Sequence, residues 1–337
     1  MSNFVSVMDN PDKNGERHEG HAPESAVNHG GVMTIDVEGV VKSRLPRLAR
    51  FIPRRAFDWL RRTVCEDELN TLLRENSGLE GADFCRGVLR SLDIEVVTHF
   101  PERLPDPTNR RVVVVSNHPL GGLDGMALID MVQRHYGGQV WFVVNDLLMH
   151  VDPLKPVFLP VNKHGRQSRE ALERVDRAFA GDDPIIIFPA GLVSRLRTVP
   201  INGERRRMVA DLPWRKMFIN RCRRYRRDIV PLFFSGQNSM KFYRMAHRRK
   251  LLGLKFNIEQ IYLPSEVIKS RGKRFDIYCG NRISYTDLAD MDDAEGYTRA
   301  VRGYVYRLAT PGFEEDTPAG ALSGSKSLNN QSHSENA

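Results

Sequence analysis

Four consecutive valines, Val112 to Val115, run directly into Ser116-Asn117-His118-Pro119-Leu120-Gly121-Gly122-Leu123-Asp124. A β-branched run of this kind predicts a strand buried on both faces, and such strands belong to parallel sheets covered by helices on either side. In open sheets of that class the carboxyl ends of the strands carry the chemistry. His118 and Asp124 are therefore the first candidates for a catalytic pair. A neutral imidazole accepts a proton from a hydroxyl near neutral pH, and a carboxylate on its other nitrogen fixes the tautomer and stabilises the imidazolium. Ser116, two residues before His118 on an extended strand, is poorly placed to aim its oxygen at the ring, so the attacking hydroxyl is expected from the substrate. The Gly121-Gly122 pair lets the chain turn Asp124 back toward His118 and predicts amides that face an oxyanion.

Short apolar stretches alternate with helical patterns on both sides of this motif. Strands are expected over residues 94–100, 139–144, 158–161, 184–188 and 229–234, and helices over 126–134 and 168–180. That alternation predicts an α/β fold with a largely parallel central sheet flanked by helices. Residues 41–93 carry Leu45, Leu48, Phe51, Phe57, Leu60 and Val64 at helical spacing, interleaved with Lys42, Arg44, Arg47, Arg50, Arg54, Arg55, Arg61 and Arg62. This basic amphipathic region reads equally as a membrane-associating helical extension or as helices with a solvated basic face. Residues 1–40 and 311–337 are polar without apolar periodicity and are expected to be disordered, which leaves 94–310 as the catalytic domain.

A net charge of +8 favours an anionic partner: nucleic acid, a phospholipid surface or an acidic carrier. Cys65, Cys85, Cys222 and Cys279 lack the paired spacing of a zinc or redox site, and no apolar run reaches the roughly 18 residues that span a bilayer. The expected setting is cytoplasmic, with any membrane contact peripheral on the inner face of the cytoplasmic membrane. Two rivals stand beside an enzyme built on His118. A nucleic-acid-binding module driven by the arginine clusters leaves the His118 loop unexplained, and a metal-dependent hydrolase would need a second histidine at ligand spacing.

Four blocks in order carry a resemblance. Asn117 to Asp124, N-H-P-L-G-G-L-D, resembles motif one of the glycerolipid acyltransferases (the lysophospholipid, PlsC-like superfamily). Phe158 to Lys163 is similar to their second block, Phe188-Pro189-Ala190-Gly191-Leu192-Val193-Ser194-Arg195 to their third, and Ile229-Val230-Pro231-Leu232 to their fourth. The chain departs from the pattern in places. Five residues rather than four separate His118 from Asp124, Ala190 stands for the acidic residue of block three, Leu192 for its threonine, and Lys163 for the arginine of block two. Those departures fall where the family grips its polar acceptor. The wider pattern, with Asp211-Leu212-Pro213-Trp214 and Gly236-Gln237-Asn238-Ser239, looks like a bacterial branch in which some members acylate a lyso-aminolipid.

The resemblance implies a PlsC-like fold and direct acyl transfer from acyl carrier protein or a coenzyme A thioester to the hydroxyl of a lyso-lipid acceptor, either a lyso-aminolipid or lysophosphatidate. His118 would be the general base and Asp124 its orienting partner, with Lys163, Gly191, Ser194 and Arg195 as substrate-binding residues. No cofactor or metal is implied, and no nucleic acid is expected. Arg205, Arg206, Arg207, Arg215, Lys216, Arg221, Arg223, Arg224, Arg226 and Arg227 become an expected docking or lipid-facing surface.

Overall fold

The valines form the middle strand of a seven-stranded sheet in a computed structural model that describes residues 26–29, 32–44, 46–145, 151–161, 169–201, 204–253, 257–289 and 292–310. The chain opens with β1 (Ala26–His29), β2 (Val32–Ile35), α1 (Val37–Arg44), α2 (Pro46–Ala49), α3 (Arg54–Val64), α4 (Glu66–Glu75) and α5 (Gly81–Ser91). It continues through β3 (Glu95–His99), β4 (Val112–Ser116), α6 (Leu123–Tyr136), β5 (Trp141–Asn145), β6 (Phe158–Val161), α7 (Arg169–Ala180) and β7 (Ile185–Ile187). A hairpin, β8 (Arg195–Ile201) and β9 (Glu204–Ala210), precedes α8 (Met217–Tyr225), β10 (Asp228–Phe234), α9 (Met240–Leu251), α10 (Leu263–Ile268), β11 (Arg274–Cys279) and α11 (Ala294–Arg307).

The strand order is β3-β11-β10-β4-β7-β5-β6. Every pairing is parallel except β10 with β11, as the sequence predicts of a largely parallel sheet flanked by helices. Val112 to Val115 are at most 1% exposed. Their alternation sends Val112 and Val114 into one core with α5 and α6, and Val113 and Val115 into a second core with α7, α8 and α11. Each such side chain contributes about 1.5 to 3 kcal/mol of transfer free energy. The carboxyl ends of β4, β7 and β10 then share one edge, which is where His118, Phe188 and Phe234 emerge.

Three expectations change. The N-terminal stretch is not wholly an unstructured tail: β2 is held by Asn70, which accepts from Ile35 N at 2.7 Å and donates to Ile35 O at 2.9 Å. The expectations of disorder for residues 1–25 and 311–337 lie outside the described residues. The boundary at residue 93 does not separate two cores, because Phe84, Cys85, Val88 and Leu89 of α5 are buried against the sheet with Leu128 and Val132 of α6.

Arg227 is the third change, since it belongs to no docking surface. It is 0% exposed, and its guanidinium donates to the carbonyls of Phe179 (2.7 Å), Ala178 (3.0 Å) and Asp183 (2.8 Å). Those groups close α7 and lead into β7, so a single fork of donors satisfies carbonyls that a helix end leaves orphaned. Burial pushes the Arg227 pKa down to about 10. Among the described residues no helix is long and apolar enough to cross a membrane.

Candidate active site

His118 and Asp124 meet at the end of β4. Nδ1 of His118 lies 2.9 Å from Oδ2 of Asp124, the second residue of α6. The chain between them turns because Gly121 takes φ +90°, a conformation glycine alone adopts without strain. A β-carbon there would lie 2.7 Å from Val193 Cγ2, so the turn also packs directly on the third block.

Asp124 is fully buried and accepts from the amides of Leu120 at 2.9 Å and Gly121 at 3.1 Å. Burial alone would push its carboxyl up. The charge and hydrogen bond of His118, with those two amides, outweigh burial and hold the group below the usual carboxylate range. Its position in the first turn of α6 also sets it against the positive end of the helix dipole. These bonds correct the expectation for half of the glycine pair: the Gly121 amide, with that of Leu120, serves Asp124 and not an oxyanion.

The imidazole stacks on Phe188, ring centroids 4.0 Å apart and planes 18° from parallel. Phe142 meets Phe188 edge-on at 5.4 Å, in space left by Gly125, where a β-carbon would lie 3.0 Å from the Phe142 ring. An apolar wall thus fixes the ring while Asp124 holds Nδ1. Nε2 is then the nitrogen left to take a proton, on a side chain that keeps 15% exposure. The Ser116 hydroxyl is fully buried and donates to Asn117 Oδ1 at 3.3 Å.

Behind the loop, two asparagines brace the backbone, one by extending the β4–β10 ladder and one by bonding the loop itself. Asn117 Nδ2 donates to Phe234 O at 2.9 Å while its Oδ1 accepts from Phe234 N at 2.7 Å. Asn238 Nδ2 donates to the carbonyls of Pro119 and Leu120, both at 3.2 Å. The sequence contains both asparagines inside recognisable blocks, but nothing local assigns them partners more than 100 residues away.

The third block lies against the pair through the Ser194 amide, which donates to His118 O at 2.7 Å. Gly191 has φ +64° and its amide closes a turn onto Phe188 O at 2.9 Å, and a β-carbon there would meet open space. Ser194 is 1% exposed and its hydroxyl donates to Asp211. Arg195 is committed to protein groups: Nη2 pairs with Glu259 Oε1 at 2.7 Å, Nη1 donates to Val193 O at 2.6 Å, and the guanidinium lies 5.1 Å from the Phe242 ring centroid. Glu259 is fully buried and also lies 3.0 Å from Arg249 Nε. Sequence reading reached Arg195 but neither Glu259 nor Arg249. Lys163 lies outside the described residues.

The arginines expected to dock a partner divide among elements. Arg215, Lys216, Met217, Asn220, Arg221 and Arg224 line an open depression of about 450 Å³ at α8. One of its lining residues is tied to block three, because Arg215 N donates to Pro189 O at 3.1 Å, one residue past Phe188.

Comparison with known proteins identifies the family. The model of the family described as Acyltransferase matches residues 39–310. A lyso-glycine lipid O-acyltransferase of Phocaeicola vulgatus is 39% identical over 277 residues, covering 82% of this chain and 96% of that protein. A protein of the same description from Bacteroides thetaiotaomicron is 38% identical, covering 81% and 97%. Among solved structures, the 1-acyl-sn-glycerophosphate acyltransferase PlsC of Thermotoga maritima matches 69% of this chain and 83% of its own at 14% identity, with a TM-score of 0.37. The chain belongs to the acyltransferase family.

Proposed function

We propose that the enzyme moves a fatty acyl group from an acyl thioester to the hydroxyl of a lyso-glycine lipid, with His118 as general base and Asp124 orienting it. The observation that carries the reading is the 2.9 Å His118–Asp124 contact at the carboxyl edge of the sheet. His118 Nε2 takes the proton of the acceptor hydroxyl as its oxygen attacks the thioester carbonyl. The carbon–sulfur bond breaks, and the leaving thiolate takes the proton back from the imidazolium. The products are an ester and a free thiol, with no acyl-enzyme. Asp124, ionised and buried, stabilises the imidazolium formed between the two transfers.

The acceptor assignment draws on the two relatives and on charge. Glycine carries a carboxylate, and Arg195 and Arg249 around the single Glu259 leave one net positive charge near block three. Lys163 adds a cation in the sequence of block two. Gly191 keeps the space beside Phe188 open to substrate, and Ser194 holds the acceptor side of the loop in place. The donor, acyl carrier protein or acyl coenzyme A, is anionic in either form, and the depression lined by Arg215, Lys216, Arg221 and Arg224 suits it. Phe51 and Trp59, 74% and 53% exposed among the arginines of the N-terminal helices, favour peripheral attachment to the inner, anionic membrane face.

Lipid mass spectrometry of cells with and without the protein tests the acceptor. Loss of a diacylated glycine lipid with accumulation of its lyso-precursor is the expected result. Accumulation of lysophosphatidate instead would reassign the acceptor.

A further inference from the structure

Asp211 is a buried carboxylate that the reaction as derived does not use. It follows β9, is 0% exposed, and gathers groups from four parts of the chain. Oδ1 accepts from the backbone amide of His118 at 3.1 Å and from Ser194 Oγ at 2.5 Å. Oδ2 accepts from Trp214 Nε1 at 2.8 Å. Its own amide donates to Tyr306 Oη at 2.7 Å, and its carbonyl accepts from Arg197 at 3.2 Å and Arg302 at 3.1 Å.

We propose that Asp211 is a positioning residue for the catalytic pair: its carboxylate pins the main chain at His118 to the Ser194 loop and supplies a second negative charge behind the imidazole. The inference rests on His118 being the base. The first half follows from connectivity. The His118 amide and the Ser194 hydroxyl share one oxygen, and the Ser194 amide returns to His118 O, so the two blocks close a ring through Asp211. A loop fixed in that way holds the imidazole at one distance from the acceptor hydroxyl, where small displacements are costly.

The second half follows from charge and burial. The groups facing Asp211 are His118 from the β4 loop, Ser194 before β8, Arg197 on β8, Trp214 before α8, and Arg302 and Tyr306 on α11. The two guanidiniums bind its carbonyl rather than its carboxylate, so among the described residues no cation pairs with the carboxylate directly. A carboxylate carrying three donors and no direct counter-ion favours positive charge on the His118 imidazole, with which it interacts through space. Burial pushes its carboxyl up, and the bonds from Ser194, Trp214 and His118 work against that shift by stabilising the ionised form.

The test compares Asp211→Asn, Ser194→Ala and His118→Ala in the full chain, with acyl thioester and lyso-lipid under steady-state conditions. Asp211→Asn keeps the shape and removes the charge. Its kcat is expected to fall at least tenfold with KM changed less than threefold, and the acid limb of kcat/KM to move about half a pH unit or more to lower pH. Ser194→Ala keeps the charge and removes one bond, so kcat falls while the acid limb stays. A purely structural Asp211 would lower thermal stability and leave the acid limb of the remaining activity in place, and that outcome overturns the proposal. Should Asp211→Asn not fold, wild-type kcat in Ser194→Ala overturns it instead. Turnover surviving His118→Ala overturns the base assignment and the proposal together, whereas His118-dependent turnover with an unmoved acid limb in Asp211→Asn fails the proposal alone.

Discussion

Asp124 holds Nδ1 of His118 and at the same time ties down the loop that carries it. Its carboxylate accepts from His118, Leu120 and Gly121 together, so Asp124→Asn removes a charge and places donors where acceptors are needed. We expect acyl transfer to fall about 10²- to 10⁴-fold, read as kcat/KM. The pH dependence has a definite sign. The native carboxyl is held below its usual range, so this site's contribution to stability is present above the ordinary carboxylate pKa and is lost as pH falls through the depressed native value. Urea denaturation near neutrality and at acid pH should therefore show wild type losing more stability on acidification than Asp124→Asn.

Among the elements, the order of strands and helices around β4 was legible because the signal is local: a valine run, a glycine pair and a cluster of residues contiguous in the chain. The arginine-rich stretches were not. Arg205 and Arg207 read as a charge run, yet they lie on β9, paired strand to strand with β8. Arg227 read as surface because charge usually is, and its burial depends on carbonyls 48 and 49 residues earlier in the chain. β11 also escaped sequence reading, since its pattern of Arg274-Phe275-Asp276-Ile277-Tyr278-Cys279 gains meaning only between β3 and β10. Arg227 gives the element-scale prediction. Lysine cannot reproduce its planar fork, so Arg227→Lys should cost about 2 kcal/mol or more in chemical denaturation, with the transition remaining cooperative.

For the whole molecule, His118 and Asp124 were readable from one stretch, while the groups that hold them were not. Asn117, Ser194, Asp211 and Asn238 come from four separate segments and meet because the parallel strands β4, β7 and β10 end at one edge and the antiparallel β8–β9 hairpin returns Asp211 beside Ser194. Arg195 was readable as a cation of block three, but its pairing with Glu259 across 64 residues was not. The surface divides in the same way. Phe51 and Trp59 stand out among the N-terminal arginines, and Leu251 and Leu252, 80% and 71% exposed, lie at the end of the basic α9. Substituting Phe51 and Trp59 together by alanine should leave thermal stability nearly unchanged and weaken sedimentation with anionic liposomes, and wild-type binding should itself weaken as salt rises. Equal binding by the double variant would remove these residues from the attachment surface.

The most direct measurement is single-turnover acyl transfer by the purified enzyme and by His118→Ala, with an acyl thioester and lyso-glycine lipid, followed by mass spectrometry of both lipid and protein. The account predicts a diacylated glycine lipid and free thiol from wild type, no acylated protein at any time point, and a rate at least 10²-fold lower for a folded His118→Ala. Near-normal product formation by His118→Ala, or a covalent acyl-protein that forms and decays ahead of product, would contradict it.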